Sequence, residues 1–381
     1  MANIVDYIIW RGDIPVSKEY PFNEIDSMIL ARFSYLIFER INLKASETIG
    51  SICNKMIHFS EAEFKISGDK YLVEELCKSK RFKSLMVTDY IEHSDAEIEK
   101  QFSAITIHIS DDEMYVSFEG TDKTINGWKE DFNLAFLEFV PAQEEGEKYL
   151  KTIMSKYPTK KVRIGGHSKG GNIAIYSAIM LSQDSYERVI SVNNFDGPGF
   201  CAKIIEKYKS VKMWNKVTTY IPQDSVVGRL LDHKEKCIVV YSTEKGIHQH
   251  DIYSWQVIAN IPVMLNEVTD SSELINSALT EWLENTKPEQ RKLFIDQVFE
   301  ILYSVDVTST IDIKSTLFRK IPDLIKAYKD VSEEDRKSIG EMVKIFVKSY
   351  VEKIKENEIA KFNKLQNSIE TKRLSSKNQE I

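Results

Sequence analysis

One serine of this sequence sits in a setting that could make it a nucleophile. Ser168 lies in Gly166-His-Ser-Lys-Gly170, after a short alternating apolar run and before an alanine-rich helical pattern. This is a G-x-S-x-G motif in a strand–turn–helix context, where small residues permit a sharp turn and a helix N-terminus points N–H groups at a developing oxyanion. The pattern predicts a catalytic serine, and the alternative is an ordinary glycine-rich turn.

A serine nucleophile needs a base, and the base needs an acid that orients it. For a serine on a strand-to-helix turn, the acid and then the histidine follow it along the chain. Three histidines come after Ser168: His233, His248 and His250. Asp196 and Asp224 each follow a predicted strand and would lie at carboxyl ends, where open α/β sheets assemble their sites. Both acids satisfy the chain order, so it leaves the choice between them open.

The elements that must position these residues alternate between strand and helix patterns from about residue 104 to 256. Predicted strands are Ala104–Ile109, Met114–Phe118, Val162–Gly165, Val189–Phe195, Val217–Ile221 and Cys237–Tyr241. A helix is predicted over about Glu144–Lys156, directly before the strand that leads to Ser168. Such alternation predicts a mostly parallel sheet covered by helices on both faces.

The flanks of this middle region are helical in rhythm. Helical patterns cover Asn23–Phe38, Ser60–Lys78 with a break at Gly68, Ser271–Glu284, Pro288–Ser304, Ile311–Lys329 and Glu333–Leu365. We expect a helical N-terminal extension over residues 1–100, a core over 101–258, a helical C-terminal region over 259–367 and a disordered tail over 368–381. Since no low-complexity linker separates them, the helices should pack on the sheet.

Composition narrows the function classes. The 381 residues carry a formal net charge of −7, which disfavours a nucleic-acid partner. No basic-then-apolar leader and no window of about 18 apolar residues occurs, so a cytoplasmic protein without a transmembrane segment is expected. The four cysteines are scattered, which disfavours a metal site. No glycine-rich segment ends in G-K-[ST], which disfavours a phosphate-binding loop. We expect no cofactor and no metal, and the oligomeric state is open.

Four segments, in the same order, resemble those of class 3 lipases, the fungal triacylglycerol lipase group. Phe118-Glu-Gly-Thr-Asp122, with Trp128 and Asp131 after it, resembles that family's F-R-G-[ST]…W…D segment. The elbow Gly166–Gly171 resembles G-H-S-L-G-G. Pro222–Val227 resembles the segment with the catalytic Asp, and His250–Tyr253 resembles the H-x-x-Y around the catalytic His. The whole chain resembles a bacterial lipase-like family with a domain of unknown function.

This resemblance implies an α/β-hydrolase fold with helical N- and C-terminal extensions and a defined set of site residues. The implied triad is Ser168, Asp224 and His250, and the implied oxyanion donors are Thr121 and Lys169. The resemblance favours Asp224 over Asp196, which would then be part of a structural turn. It favours His250 over His248 because only His250 has a tyrosine three residues later, and it makes His167 a packing residue.

The sequence also departs from the lipase pattern. Lys169 replaces the usual Leu after the nucleophile, and Glu119 replaces the usual Arg. We interpret the Lys169 side chain as an exposed residue of the first helical turn, with attraction of an anionic substrate as the alternative. No short apolar lid is evident between Trp128 and Lys151. Phe132–Val140 is apolar enough to be core or to line an acyl pocket.

The function these residues predict is that of a serine hydrolase of carboxylic esters, acting on a small-molecule or acyl-lipid ester. Amide and thioester bonds would use the same residues, and peripheral contact with a membrane is left open. The alternative is a catalytically silent hydrolase-like scaffold that binds a lipid or protein partner, since more than half of the chain lies outside the predicted catalytic segments.

Overall fold

A computed structural model shows the fold and describes residues 2–66, 68–95, 100–121, 129–130, 133–134, 137–304 and 325–377. Nine strands form one sheet in the order β1-β2-β3-β4-β5-β6-β7-β8-β11, and β9 and β10 form a small second sheet. The strands are β1 Ser46–Thr48, β2 Met86–Asp95, β3 Lys100–His108, β4 Glu113–Phe118, β5 Lys161–His167, β6 Val189–Phe195, β7 Val217–Pro222, β8 Lys236–Val240, β9 Val257–Ile258, β10 Ile261–Pro262 and β11 Met264–Leu265.

The central part of the large sheet is parallel. Strands β4 to β8 run parallel to one another. The pairs β1–β2, β2–β3 and β3–β4 are antiparallel, and β11 also pairs antiparallel with β8. The register sets Phe118 opposite Gly166 and His167 opposite Phe195. The carboxyl ends of β4, β5 and β6 are therefore level, and the loops that follow them meet at one edge of the sheet.

Helices cover both faces of the sheet. They are α1 Ile4–Arg11, α2 Glu24–Phe33, α3 Ile49–Met56, α4 Asp69–Lys78, α5 Pro141–Lys156, α6 Lys169–Ile179, α7 Ala202–Tyr208, α8 Asp270–Glu284, α9 Pro288–Ser304 and α10 Glu333–Lys377. Alternate residues of β3 point to opposite faces. Ile105 and Ile107 join the apolar core with α1–α4, and Phe102 and Ala104 join the core with α5 and α6.

The predicted fold class is confirmed: an α/β protein with a mostly parallel sheet, helices on both faces and helical extensions, which is the α/β-hydrolase arrangement. The six predicted strands correspond to β3–β8, and the helix expected over Glu144–Lys156 begins slightly earlier, at Pro141. The break predicted at Gly68 is the residue that precedes α4. No helix among the described residues is both long enough and apolar enough to cross a bilayer.

The structure also differs from the predicted elements. The first hundred residues contain β1 and β2 as well as helices, and β2 escaped prediction because its second half is exposed and polar. Helix α10 continues to Lys377 through most of the tail expected to be disordered. Of the helix predicted over Ile311–Lys329, residues 311–324 lie outside the described residues.

Candidate active site

Ser168 occupies the turn between β5 and α6, in the strained geometry expected of a nucleophile on a sharp turn. Its backbone has φ 57° and ψ −134°, a region that costs a residue with a side chain about 1–3 kcal/mol. The glycine two residues before it makes this turn possible, because a Cβ at Gly166 would lie 2.3 Å from the backbone of Gly170. Ser168 N–H donates to Phe195 O at 2.9 Å, which fixes the turn to the end of β6.

His250 is held by a buried carboxylate. Its Nδ1 lies 2.6 Å from Asp196 Oδ2, and Asp196 is 1% exposed. The other oxygen of Asp196 accepts from Ser225 Oγ at 2.5 Å and from Gly228 N–H at 3.1 Å. With Asp196 accepting from Nδ1–H, the second ring nitrogen of His250, Nε2, is the one available to take a proton.

The predicted contact between Asp224 and His250 does not form. Asp224 Oδ1 accepts from Thr269 Oγ1 and Ser271 Oγ at 2.6 and 2.5 Å, and Oδ2 accepts from Gly246 N–H at 2.6 Å. Burial works to raise the pKa of Asp224, but the bonds from Ser271, Thr269 and Gly246 hold that pKa below its ordinary value. Asp224 is thus a hydrogen-bond acceptor that joins the end of β7 to residues 269–271.

Strand adjacency explains this correction. Asp196 follows β6, which pairs directly with β5, the strand that ends at Ser168. Asp224 follows β7, which pairs with β6 and lies one strand further away. Neighbouring strands are about 4.8 Å apart. The strand before Asp196 is therefore about 4.8 Å closer to β5 than the strand before Asp224. Chain order is the same for both acids and could not reveal it.

His167 connects His250 to the serine turn. The rings of His167 and His250 have centroids 4.5 Å apart, and His167 Nε2–H donates to His250 O at 2.8 Å. Among the described residues, no hydrogen bond joins the Ser168 hydroxyl to the His250 ring; such bonds often form only with substrate in place. Burial, followed by the charges of His250 and Arg32, holds the pKa of His167 well below its ordinary value. His167 is therefore neutral and packs beside the base, as expected.

Of the two predicted oxyanion donors, Lys169 directly follows Ser168, and the residue before Thr121 lies against it. Thr121 follows Gly120, where a Cβ would stand 2.5 Å from His167 O and 3.1 Å from Ser168 Cβ, so only glycine permits this approach. Lys169 is the first residue of α6, and the N–H groups of a first turn point out of the helix end. Asp122, Trp128, Asp131 and Phe132 lie outside the described residues.

The Lys169 side chain is not exposed, contrary to our interpretation. It is 1% exposed, and its Nζ lies 2.7 Å from Glu130 Oε2 and 2.8 Å from Gln101 Oε1. Glu130 Oε1 also accepts from Ala142 N–H at 3.0 Å. Because the cation faces a buried carboxylate, it is not placed to attract an anionic substrate. Instead, it ties the helix after Ser168 to residues between β4 and α5.

Sequence reasoning missed the residues that hold the histidine loop from the N-terminal side. Tyr253 Oη donates to Asp69 Oδ1 at 2.8 Å, and Asp69 accepts two bonds from the guanidinium of Arg32, at 2.7 and 2.6 Å. Arg32 and Asp69 are 1% and 0% exposed. Tyr35 Oη donates to His167 O at 2.8 Å. The H-x-x-Y resemblance pointed to Tyr253, but no local signal identified its partner.

The other predicted histidines lie apart from this arrangement. His248 is exposed. His233 Nδ1 lies 2.7 Å from Glu235 Oε1, and His233, Glu235 and Cys237 offer ligand atoms within 4.8 Å of one another, so these three groups could hold a metal ion. In the part of the chain that the structure describes, no hydrogen bond or ion pair joins this group directly to the Ser168 turn.

A family model described as Mbeg1-like matches residues 76–300, which is more than half of the chain. The chain belongs to the Mbeg1-like family. The match includes Ser168, Asp196 and His250, together with all strands from β2 to β11. Membership of a lipase-like family, expected from the motifs, is confirmed. No curated protein sequence matches this Mbeg1-like chain.

Parts of solved fungal lipases resemble part of this Mbeg1-like structure. Lipase from Rhizopus microsporus var. chinensis is 11% identical, with 58% of this chain and 92% of that chain covered and a TM-score of 0.35. A fungal lipase in an inhibitor complex is 16% identical, with 45% of this chain and 70% of that chain covered and a TM-score of 0.34. Rhizomucor miehei lipase with its propeptide is also 16% identical, with 42% of this chain and 58% of that chain covered and a TM-score of 0.31. Likeness at this level says nothing about chemistry.

Proposed function

We propose that the protein is a serine hydrolase of carboxylic esters in which Ser168, His250 and Asp196 act together. The observation that carries the proposal is the 2.6 Å contact between His250 Nδ1 and buried Asp196 beside a serine with φ 57°. A strained serine, a histidine oriented through one nitrogen and a buried acid are the parts that acyl transfer to a hydroxyl requires.

In this reaction His250 Nε2 takes the proton of Ser168 Oγ while that oxygen attacks the acyl carbonyl. Asp196 keeps Nδ1 protonated and stabilises the imidazolium that forms. The backbone N–H groups of Thr121 and Lys169 hold the oxyanion, and loss of one such donor typically costs about 2.7–4 kcal/mol of transition-state stabilisation. The imidazolium then protonates the leaving alcohol, and water releases the acid from Ser168 by the same steps in reverse.

An acyl-lipid ester is the substrate class that the sequence segments similar to class 3 lipases favour. The buried Lys169 agrees with a neutral rather than an anionic group near the nucleophile, since its charge faces Glu130. The cytoplasmic location and the lack of a nucleic-acid partner stay predictions from composition.

Substitution of Ser168 tests the nucleophile. Ser168→Ala should abolish hydrolysis of short-chain p-nitrophenyl esters and labelling by a fluorophosphonate probe, with an unchanged circular dichroism spectrum. A wild-type protein that is folded but neither labels nor turns over ester would support the silent scaffold instead.

A matched pair of substitutions tests the acid. Asp196→Asn should lower kcat by about 10⁴-fold, because an amide in place of the carboxylate favours the wrong tautomer of the histidine. Asp224→Asn, the same change one strand further away, should leave kcat within a few-fold of wild type. The reverse ranking of the two variants would restore Asp224 as the acid.

A further inference from the structure

An apolar cavity lies between the catalytic core and the C-terminal helices. Its volume is about 270 Å³, and the core side of its wall consists of Pro198, Leu230 and Leu231. Leu279 and Trp282 of α8 and Phe346 of α10 line the opposite side. The indole N–H of Trp282 already donates to Met342 O at 3.1 Å. A cavity with such walls offers water few partners and favours a hydrocarbon occupant.

The wall of this cavity is continuous with the catalytic residues. Asp196 contacts His250, and Pro198, two residues later, lines the cavity. Between them, Gly197 packs against the backbone carbonyl of Ser168, since a Cβ on it would be 2.2 Å from that oxygen. Consecutive Cα atoms are 3.8 Å apart, so Pro198 in the cavity wall is one residue away from a contact with the Ser168 backbone.

The strip of the core-side wall that contains Leu231 has an unusual backbone conformation. Leu231 has φ 65°, in the left-handed region that branched apolar residues rarely adopt. Two backbone hydrogen bonds between Phe200 and Asp232, of 2.8 and 3.0 Å, fix this strip beside the segment that carries Asp196. Non-glycine residues with positive φ also include Ser168 and Asp196. Strain of this kind concentrates where a fold holds functional geometry.

We infer that this cavity binds the acyl chain of the substrate ester, which makes the C-terminal helices a specificity element. A cavity of about 150 Å³ accommodates benzene, with six carbons, so a volume near 270 Å³ suits a chain of about ten carbons. The identity of the ligand as part of an ester rests on the proposed function. Binding of a medium-length hydrocarbon chain at this place does not.

A chain-length series tests the inference. The ratio of kcat/KM for p-nitrophenyl decanoate to that for p-nitrophenyl acetate is measured in wild type and in Leu279→Trp, in which the larger ring fills the cavity. We expect this ratio to fall at least tenfold. The control is Leu293→Trp on α9, because Leu293 is 46% exposed and is not part of the cavity lining; it should keep the wild-type ratio.

A binding experiment separates this inference from the proposed function. In a Ser168→Ala background, a dansyl-labelled undecanoic acid is titrated with and without Leu279→Trp, and binding should weaken at least tenfold. If Leu279→Trp unfolds by circular dichroism, it is replaced by Leu283→Trp, at another cavity-lining residue of α8. Fatty-acid binding without any ester turnover would overturn the proposed function alone. If Leu279→Trp hydrolyses esters with the same decanoate-to-acetate ratio of kcat/KM as wild type, the inference alone is overturned.

Discussion

The two helical flanks of the sheet reach the proposed catalytic residues by different kinds of contact. The N-terminal helices, α1–α4, share the main apolar core with one face of the sheet. Two ion pairs that are almost completely buried hold this flank together: Arg32–Asp69, between α2 and α4, and Arg81–Asp26, between the turn after α4 and α2. The C-terminal helices, α8–α10, meet the core across an apolar cavity and through hydroxyl groups at the start of α8.

This difference extends to the catalytic residues that each flank supports. The N-terminal helices hold the histidine side, through Asp69 on Tyr253 and Tyr35 on His167. The C-terminal helices reach the acid through an intermediate, since Ser272 Oγ donates to Ser225 O and Ser225 Oγ donates to Asp196. We therefore expect the first flank to be integral to the fold and the second to be attached more loosely.

The largest effect should follow from breaking a buried ion pair in the N-terminal helices. Asp69→Asn leaves the Arg32 guanidinium buried without its counter-charge, which typically costs about 3–5 kcal/mol. Urea denaturation measures the change in the free energy of unfolding. The control is Glu63→Gln, which breaks the exposed Arg40–Glu63 pair and should have little effect. A loss for Asp69→Asn as small as that of the control would remove the distinction between the flanks.

A pH-dependent effect should arise on the histidine side. Because the pKa of buried His167 is well below its ordinary value, the unfolded chain takes up a proton near pH 6.5 that the folded chain does not. The contribution of neutral His167 to the free energy of unfolding is therefore present in full above pH 6.5. The free energy of unfolding falls by up to about 1.4 kcal/mol for each pH unit below 6.5. Denaturation curves at pH 7.5, 6.5 and 5.5 should show a shallower decline for His167→Gln, whereas exposed His248→Gln should follow the wild type. Parallel curves for wild type and His167→Gln would contradict this assignment.

The most local effect should come from the C-terminal side. Thr269 accepts from Ser272 N–H at the start of α8 and donates to Asp224, so Thr269→Val removes a helix cap and a link to the core, at about 1–2 kcal/mol. Hydrogen exchange should show weaker protection of α8 with little change in β5. Glu273→Gln, which breaks the partly exposed pair with Arg229, is the control. Equal loss of protection in β5 would show that the C-terminal helices are integral to the fold after all.

Local patterns predicted the central strands and the serine turn because the same residues decide both local structure and burial. Strand β2 was missed because its exposed, polar half becomes a strand only through pairing with β3. The sequence favoured Asp224 as the partner of His250, whereas the structure sets Asp196 against that ring. Both acids have the same chain order, and only the sheet determines which strand is next to β5. Likewise, the partner of Lys169 is Glu130, 39 residues away, and no local pattern connects them.

The backbone of Ser168 has a consequence for how this protein would respond to selection. Glycine adopts φ 57° without the penalty that serine bears there. Directed evolution for heat resistance alone would therefore tend to replace Ser168, and under the proposed function the most thermotolerant descendants would be those that no longer cleave an ester. Any programme to stabilise this fold has to screen turnover in every round.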